Sequence, residues 1–163
     1  MKPTNVLFVC LGNICRSPMA ESMFKQLTAE AGVADQYVIS SAATSDEEAG
    51  NPPHPGALQT LKKHGLDASN HRSHPLTPTD LEAADYIITM DTTNLVDVRE
   101  RLSKAEQAKA HLCMDVVPGQ DGISIADPWY THKFETTYDM LTESLPLWLD
   151  QMQQTRREAS PHE

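Results

Sequence analysis

The sequence predicts an α/β fold built around a parallel sheet. Strand-like and helix-like segments alternate along the chain, an order typical of parallel strands joined by helical crossovers. The first apolar run, residues 5–9, shows no alternation of polar and apolar side chains, as expected for a strand covered on both faces. The 163 residues show no internal repeat, low-complexity segment or linker, so we expect a single domain over residues 1–154.

The elements of the first half follow from capping and spacing signals. Ser17 and Pro18 predict the N-cap and the first position of a helix that follows the first strand. A second strand is predicted over residues 37–41. A long loop, residues 42–55, is rich in proline, glycine and acidic residues and connects this strand to the next helix.

The middle of the chain repeats the alternation. A helix is predicted over about residues 55–64, because basic side chains occupy its last turn and Gly65 follows them. A short helix is expected to open at Thr77, a third strand to span residues 86–90, and a further helix to run to about residue 102.

The last third begins with a weaker strand signal. We expect a fourth strand over residues 111–114, then a long loop over residues 115–130. A final helix is predicted over about residues 133–153, and a frayed polar tail over residues 155–163.

Composition and charge narrow the functional classes. The formal net charge of −10 argues against nucleic acid as a partner, because no basic patch is available to neutralise phosphates along a duplex. No apolar stretch approaches the length of about 18 residues that a membrane helix needs, and residues 6–9 are too few for a signal-peptide core. Three cysteines do not make a secreted disulfide framework. We therefore expect a cytoplasmic protein that does not bind a membrane.

The most informative segment joins the first strand to the first helix. It reads Cys10-Leu11-Gly12-Asn13-Ile14-Cys15-Arg16-Ser17-Pro18. A strand-to-helix loop can turn its backbone N–H groups inward, and the following helix adds its positive N-terminal end. Gly12 and Asn13 tolerate the tight or left-handed backbone that such a loop requires. These surroundings favour an anion and a cysteine thiolate together.

Three side chains of this segment suit phosphate chemistry. Cys10 lies at the mouth of the loop as a candidate nucleophile, and the planar fork of Arg16 matches two phosphate oxygens. The Ser17 hydroxyl is placed to donate to the Cys10 sulfur and to stabilise it as a leaving group. The alternative is that Cys10 is a buried strand residue and Arg16 a solvent-facing helix residue. The segment is not a nucleotide-binding P-loop, because Gly-x-x-x-x-Gly-Lys-Ser/Thr is absent.

A candidate acid lies in the loop before the last helix. Cleavage of a phosphate monoester expels an alkoxide or phenolate that needs a proton. Asp127 precedes a proline, which restricts its backbone, and Trp129 and Tyr130 offer flat surfaces for an aromatic substrate. Taken alone, Asp-Pro is a common turn signal and Trp-Tyr is ordinary packing. The acid assignment therefore depends on the Cys10 loop.

These segments together resemble the low-molecular-weight protein tyrosine phosphatases. The resemblance rests on residues 6–21 and on Asp127-Pro128-Trp129-Tyr130, with further similarity at residues 41–45, 50–53 and 90–91. It extends to about residue 153. The family fold is a small doubly wound sheet of four parallel strands flanked by helices, of the phosphotyrosine phosphatase I type.

The resemblance implies roles for individual residues. Cys10 would be the nucleophile, Arg16 the phosphate clamp and Asp127 the general acid and base, without a metal or any cofactor. Asn13 would hold the loop geometry with Ser41 among its hydrogen-bond partners. The substrate-binding residues that we expect are Leu11, Gly12, Asn13, Ile14, Cys15, Ser17, Glu47, Trp129 and Tyr130.

One position departs from the family pattern. Many relatives carry an aromatic residue where Glu47 stands here, within Asp46-Glu47-Glu48. This acidic stretch is either an ordinary solvated loop or a rim that favours phosphopeptides with basic neighbours. Cys15, in the same loop as Cys10, is either a small packed residue or a partner that traps oxidised Cys10 as a disulfide.

The remaining cysteine and histidines suggest no further chemistry. Cys113 is expected in a strand and in the core. His71 and His74 lie in a proline-rich stretch and are interpreted as loop or surface residues. No set of ligands has the spacing of a zinc site, so we expect no metal.

Three rival functions remain at this stage. An arsenate reductase shares this fold but needs further downstream cysteines, and only Cys113 is available. In an arginine phosphatase, the residue before the second loop cysteine tends to be Thr, whereas Ile14 stands here. A non-catalytic phosphotyrosine-binding module would be expected to lose Cys10 or Asp127. We expect phosphotyrosine-containing proteins as substrates, and a monomer or weak self-association.

Overall fold

The structure, a computed structural model, describes residues 1–159. Its centre is a four-stranded sheet in the order β2-β1-β3-β4, and every neighbouring pair is parallel. The strands are β1 (Thr4–Cys10), β2 (Tyr37–Ala43), β3 (Tyr86–Thr89) and β4 (Ala110–Leu112). The predicted parallel α/β fold is confirmed.

Six α-helices connect and cover the strands. They are α1 (Arg16–Glu30), α2 (Pro55–Lys63), α3 (Pro78–Ala83), α4 (Thr92–Arg101), α5 (Pro128–Thr131) and α6 (Phe134–Ala159). Three 3₁₀ turns complete the described elements: Ala34–Gln36, Gln107–Lys109 and Cys113–Val116. Within residues 1–159, none of the helices combines the length and the hydropathy that a membrane-spanning helix requires.

The central strand β1 faces two separate parts of the core. Val6, Phe8 and Cys10 belong to the cluster that also contains residues of α1, α2 and α6. Leu7 and Val9 belong to a second cluster with residues of α3 and α4. Because successive side chains of a strand point to opposite faces, a strand covered on both faces is apolar throughout. The same alternation places Cys10 on the α1 side of the sheet.

The first helix begins earlier than predicted, and Ser17 is not its N-cap. Helix α1 starts at Arg16 with Cys15 as N-cap, and no side chain caps it. Ser17 therefore lies inside the first turn, where its hydroxyl is directed to the Cys10 sulfur and to Asn13 instead of to the helix backbone.

Three later elements also differ from the predictions. The fourth strand covers residues 110–112, so it begins one residue and ends two residues earlier than expected, and Cys113 begins a 3₁₀ turn instead of lying in a strand. The predicted loop over residues 115–130 contains most of the short helix α5. Helix α6 runs on to Ala159, so residues 155–159 are helical and not a frayed tail. Residues 160–163 of the expected tail lie outside the described residues.

The extension of α6 has visible anchors near its end. Arg156 donates to the Lys2 carbonyl (3.1 Å) and to Thr4 Oγ1 (3.0 Å), and its guanidinium lies over the Tyr37 ring at 5.8 Å. These contacts fasten the last turns of the helix to the N-terminal ends of β1 and β2. A window of sequence around residue 155 does not reveal them, because their partners lie more than a hundred residues away.

Candidate active site

The loop between β1 and α1 is held from outside by its carbonyl groups. The five successive carbonyls of residues 10–14 each accept one hydrogen bond from another segment. In loop order the donors are Thr44 N (3.0 Å), Ser45 N (3.0 Å), Ser73 Oγ (2.8 Å), His71 Nε2 (2.9 Å) and His54 N (2.8 Å). In a trans peptide the next N–H points opposite to the carbonyl. The N–H groups that follow these carbonyls therefore face the inside of the loop.

Those inward N–H groups are left for a ligand. Within residues 1–159, the backbone N–H groups of residues 11–16 donate no hydrogen bond to the protein, and Ser17 N approaches only the Cys10 sulfur (3.4 Å). The N-terminus of α1 lies at the same place. A ring of free N–H donors beside a helix N-terminus is a binding site for an anion such as phosphate.

Asn13 shapes this loop with its backbone and its side chain. Its φ of 57° is left-handed, a conformation that asparagine tolerates better than most residues. Its amide donates to Ser17 Oγ (2.7 Å) and to Ser41 Oγ (2.9 Å), and its Oδ1 accepts from His74 N (3.3 Å). Gly12, by contrast, does not have a positive φ.

The candidate nucleophile, Cys10, lies beside the Ser17 hydroxyl, which can donate a hydrogen bond to its sulfur. Ser17 Oγ is 3.0 Å from Cys10 Sγ. Because Ser17 Oγ already accepts from the Asn13 amide, its own proton is available for the sulfur. A hydroxyl donor at this position can stabilise a thiolate.

Arg16 is buried beneath the loop with one edge fixed by the protein. Its Nη1 donates to Asp91 Oδ2 (2.6 Å) and to the Ile125 carbonyl (2.9 Å), and its Nη2 lies 3.4 Å from Asp127 Oδ2. Its Nε is buried and has no hydrogen-bond partner among the described residues. A buried donor without a partner is costly, so its position points to a ligand that accepts from it.

The charge on Arg16 is secured by its neighbours. Burial acts to lower the pKa of Arg16, but the Cys10 sulfur and the carboxylates of Asp91 and Asp127 outweigh it and raise that pKa above its ordinary value. The guanidinium therefore stays cationic, and its Nε and Nη2 present the planar fork that matches two phosphate oxygens.

Asp127 begins α5 and stands over this guanidinium. One of its oxygens caps the helix by accepting from Trp129 N (3.1 Å), and the other is the oxygen near Arg16 Nη2. The cap fixes the direction of the carboxylate. Trp129 and Tyr130 follow on the same short helix and are 47% and 71% exposed, so their rings are available to a ligand.

One cleft brings the predicted residues together. It is lined by Cys10, Leu11, Gly12, Ile14, Cys15, Ser45, Glu47, Glu48, Asp127, Trp129 and Tyr130. The other predicted residues, Asn13, Arg16, Ser17 and Ser41, are buried beneath or beside it. The cleft thus has a floor of N–H donors and a sulfur, an aromatic wall and an acidic wall.

Several residues that support the site were not predicted from the sequence. Asp91 holds the Arg16 guanidinium through Nη1. The sequence signals for Asp91 were its position after a strand and the similarity of residues 90–91 to the family. His71 was interpreted as a loop or surface residue; it lies in a loop, but its side chain is only 12% exposed and donates to the Asn13 carbonyl. Glu21 accepts from Ser41 Oγ (2.5 Å), which in turn accepts from Asn13.

His54 is another unpredicted support, and it connects four parts of the molecule. Its N–H donates to the Ile14 carbonyl, and its Nδ1 accepts from Gly56 N (2.9 Å) to cap α2. Its ring stacks on Phe134 at 5.0 Å and meets Trp129 edge to face at 5.5 Å. His54 therefore contacts the backbone of the Cys10 loop through its own backbone N–H and the aromatic wall through its ring.

The other two cysteines are buried thiols. The pKa of Cys15 is raised to about 12, mainly by burial and further by the nearby Cys10 sulfur and Asp127 carboxylate. Burial likewise raises the pKa of Cys113 to about 12, against a smaller opposing effect of its hydrogen bond with Ser144. Among residues 1–159, no three His, Cys, Asp or Glu side chains are grouped so that they could hold a metal ion.

Comparison with known proteins supplies a family for this architecture. The family model described as low molecular weight phosphotyrosine protein phosphatase matches residues 5–158. The low molecular weight phosphotyrosine protein phosphatase of Gallus gallus is 38% identical over 149 residues, which cover 90% of this chain and 94% of that protein.

Solved structures show the same similarity. The crystal structure of YfkJ from Bacillus subtilis is 33% identical, covers 95% of this chain and 98% of its own, and has a TM-score of 0.91. The crystal structure of DARP, the drosophila arginine phosphatase, is 31% identical with a TM-score of 0.82, and covers 93% and 98% of the two chains. The similarity therefore spans nearly the whole chain in both sequence and fold.

Proposed function

The chain belongs to the low molecular weight phosphotyrosine protein phosphatase family, and from this membership we propose that it removes phosphate from protein tyrosine side chains through a Cys10 phosphoenzyme. The named relatives in this comparison include protein-tyrosine phosphatases of vertebrates and of Bacillus subtilis. The observation that carries the assignment of Cys10 is its position at a ring of free N–H groups, next to a hydroxyl donor and above a buried arginine.

The first chemical step is a transfer of the phosphoryl group to sulfur. The phosphate oxygens accept from the inward N–H groups and from Nε and Nη2 of Arg16, which places phosphorus next to the Cys10 thiolate. As the S–P bond forms, the bond between phosphorus and the tyrosine oxygen breaks. Asp127, standing over the same guanidinium, gives its proton to the departing phenolate.

The second step is hydrolysis of the phosphocysteine. Asp127, now ionised, takes a proton from a water molecule as that water attacks phosphorus. The S–P bond breaks, inorganic phosphate is released, and the sulfur departs as a thiolate. Ser17 stabilises the departing thiolate, because its proton is directed to that sulfur.

The aromatic wall supports phosphotyrosine as the substrate side chain. Trp129 and Tyr130 line the cleft beside Asp127 and are largely exposed. A phenyl ring lying between this wall and Leu11 would place its oxygen near the Asp127 carboxylate. Phosphoserine is shorter and has no ring, so it would bury less apolar surface in the same position.

Phosphoarginine is the second substrate to consider, since one structural relative is an arginine phosphatase. Ile14, which lines the cleft and is 7% exposed here, presents an apolar side chain and no hydroxyl to the substrate. That surface supports an aryl group better than a guanidinium, whose N–H groups need acceptors.

Cys15 is proposed to protect the nucleophile from irreversible oxidation. A peroxide that oxidises the Cys10 thiolate is itself reduced and leaves a sulfenic acid on Cys10. Attack of the Cys15 sulfur on this sulfenic acid would form a disulfide and release water. The raised pKa of Cys15 keeps it protonated and unreactive in the resting enzyme. Oxidation of Cys10 removes the thiolate charge that contributes to this raised pKa, which eases loss of the Cys15 proton.

We also propose the cellular setting expected from the sequence. The cytoplasm is the compartment that suits three free thiols, and the net charge of −10 disfavours nucleic acid as a partner. A monomer or a weakly self-associating form is the proposed working state.

The proposal is tested by turnover of a phosphotyrosine peptide in EDTA with wild type, Cys10→Ser and Asp127→Asn. Asparagine can still cap α5 through its side-chain oxygen, so Asp127→Asn removes the proton donor while preserving the local structure. We expect turnover by wild type, none by Cys10→Ser, and a loss of about 100-fold or more for Asp127→Asn. A phosphoarginine peptide and arsenate are the rival substrates. A preference for phosphoarginine, or thiol-dependent reduction of arsenate without phosphatase activity, would replace the proposed function.

A further inference from the structure

The mouth of the cleft carries negative charge on one wall and aromatic surface on the other. Glu47 and Glu48 line the cleft from the segment after β2, and Trp129 and Tyr130 line it from α5. Among the described residues that line the cleft, none is Lys, Arg or His. A phosphate that approaches the loop therefore passes carboxylates, and the positive charge of Arg16 lies only at the buried floor.

The two glutamates differ in freedom. Glu48 is half-buried, accepts from Asn51 Nδ2 (2.7 Å), and lies against the phosphate loop, since a Cβ at Gly12 would be 3.4 Å from Glu48 Cγ. Glu47 is exposed, and its N–H is bound by Ser45 Oγ (3.1 Å), while its carboxylate makes no ion pair within residues 1–159. The Glu48 carboxylate is thus held in one position beside the loop, whereas no ion pair within residues 1–159 holds the Glu47 carboxylate at the edge of the cleft.

The Glu48 charge acts inside the site. Burial is the main cause of the raised pKa of Cys15, and the Glu48 carboxylate is among the charges that raise it further. A carboxylate that acts electrostatically on a thiol at the floor of the cleft also repels the phosphate group of a substrate bound there. For an enzyme with a net charge of −10, this repulsion works against every simple anionic substrate.

A ligand with a cation close to its phosphate turns this repulsion into attraction. The unpartnered Nε of Arg16, which is 1% exposed, fixes the phosphate end at the floor. With the phosphotyrosine ring along the aromatic wall, the peptide residues on either side of it lie at the mouth. We infer that Glu47 and Glu48 select phosphotyrosine segments in which Lys or Arg directly neighbours the phosphotyrosine. This inference rests on the proposed function and specifies its substrate class.

The aromatic wall also suits lysine or arginine next to the phosphotyrosine. Tyr130 is 71% exposed, so a lysine or arginine that pairs with Glu47 can also lay its aliphatic stem or its charge on an aromatic face. Exposed ion pairs are individually weak, and each carboxylate is expected to change selectivity by about 1.5- to 5-fold. Two carboxylates, which attract lysine and repel glutamate, give about a 10-fold ratio between Lys-flanked and Glu-flanked peptides at low salt.

Glu48 also gives the inference a signature that a merely structural role would not produce. Replacing it by glutamine removes repulsion of phosphate and attraction of a basic neighbour in one change. Inorganic phosphate is then a tighter competitive inhibitor, by about 2-fold, while the ratio of kcat/KM between the Lys-flanked and the Glu-flanked peptide falls. A variant in which the substitution only distorted the loop would bind inorganic phosphate more weakly and would also turn over both peptides more slowly.

The experiment compares two phosphotyrosine peptides that differ only in carrying Lys or Glu on both sides of the phosphotyrosine. The enzymes are wild type, Glu47→Gln, Glu48→Gln, the double variant, and Glu143→Gln as a control. Glu143→Gln makes the same change of net charge at an exposed position on α6 that does not line the cleft. The kcat/KM ratio is measured at low and at high salt, with inhibition by phosphate measured in parallel.

We expect a Lys/Glu ratio of about 10 for wild type and for Glu143→Gln, a ratio near 1 for the double variant, and loss of the preference at high salt because the charges are screened. A ratio near 1 for wild type at low salt would overturn the inference while leaving the proposed function intact. A ratio that is equal in all five enzymes would overturn it too, because the preference would then come from overall charge. Turnover of neither peptide would instead refute the proposed function.

Discussion

The Ser17 hydroxyl oxygen lies 3.0 Å from the Cys10 sulfur at one end of a chain of hydrogen bonds. The Asn13 amide donates to both Ser17 and Ser41, and Ser41 donates to Glu21 on α1. Ser17 Oγ and Ser41 Oγ each accept a hydrogen bond from the Asn13 amide. Ser41 donates its own proton to Glu21, and Ser17 is left to donate its proton to the Cys10 sulfur. The chain thereby couples the geometry of the loop to the chemistry of the candidate nucleophile.

Removing the Ser17 hydroxyl should slow the step in which sulfur leaves. We expect Ser17→Ala to lower kcat by about 10- to 100-fold, since a hydrogen bond to a charged group contributes about 1.5–3 kcal/mol. Because departure of sulfur becomes slower, phosphoenzyme should accumulate and an aryl phosphate should give a burst of phenol. Rapid-mixing measurement of that burst checks the prediction. An unchanged kcat would show that Ser17 does not assist the sulfur.

The left-handed backbone of Asn13 predicts a difference between two substitutions. Asn13→Gly keeps the φ of 57° accessible, whereas Asn13→Ala loses the same side-chain hydrogen bonds and adds backbone strain. We expect both variants to be less stable than wild type, and Asn13→Ala to be about 1 kcal/mol worse than Asn13→Gly. Urea unfolding of the three proteins measures the difference. Equal free energies of unfolding for the two variants would mean that the conformation carries no strain.

Gly56 is required by the close approach of Phe134. A Cβ at Gly56 would lie 2.3 Å from the Phe134 ring, which stacks on His54, and the His54 ring in turn contacts Trp129. Gly56→Ala should cost about 1–3 kcal/mol of stability and raise KM for aryl phosphates by displacing Trp129. The double variant Gly56→Ala, Phe134→Leu should recover part of the stability. If it recovers none, the clash with the ring is not the cause.

The buried thiol of Cys113 predicts a dependence of stability on alkaline pH. Its pKa is raised from 9.0 to about 12 by burial, so the folded state holds this proton more tightly than the unfolded state does. The stability that Cys113 contributes is therefore complete below about pH 9 and is lost as the pH rises toward 12.

Cys113→Ala removes this linkage and serves as the test. The stability advantage of wild type over Cys113→Ala should shrink by about 2 kcal/mol between about pH 8.5 and about pH 10.5. The control is Ser144→Ala, which keeps the thiol but removes its hydrogen bond, and which should retain the alkaline loss. Parallel stability curves for wild type and Cys113→Ala would contradict the account.

The parts of the fold and site that the sequence predicts are those carried by local signals. A few consecutive residues are enough to recognise each of three features: the unbroken apolar run of β1, the Cys10 loop and the Asp127-Pro128 dipeptide. The four parallel strands follow from alternation of element types and from the family resemblance. Each of these features depends on residues that are neighbours in the chain.

The parts that sequence reasoning missed depend on distant partners. His71 contacts the Asn13 carbonyl across 58 positions, and Asp91 reaches Arg16 across 75. The start of α1 was misplaced because a Ser-Pro pair usually caps a helix, whereas here Ser17 is recruited by the sulfur and by Asn13. This difference does not depend on a distant partner: hydrogen bonds within the loop, to residues four and seven positions away, replace the capping interaction.

The most direct test of the central claim is detection of phosphate on Cys10. A phosphotyrosine peptide is mixed with Ser17→Ala enzyme, the reaction is stopped within milliseconds, and peptides of the digested enzyme are analysed by mass spectrometry. We expect one phosphate, attached to the sulfur of Cys10, and none when Cys10 is replaced by serine in the same background. Turnover of the peptide with no phosphate on Cys10 at any time, or turnover that persists in Cys10→Ser, would contradict the mechanism.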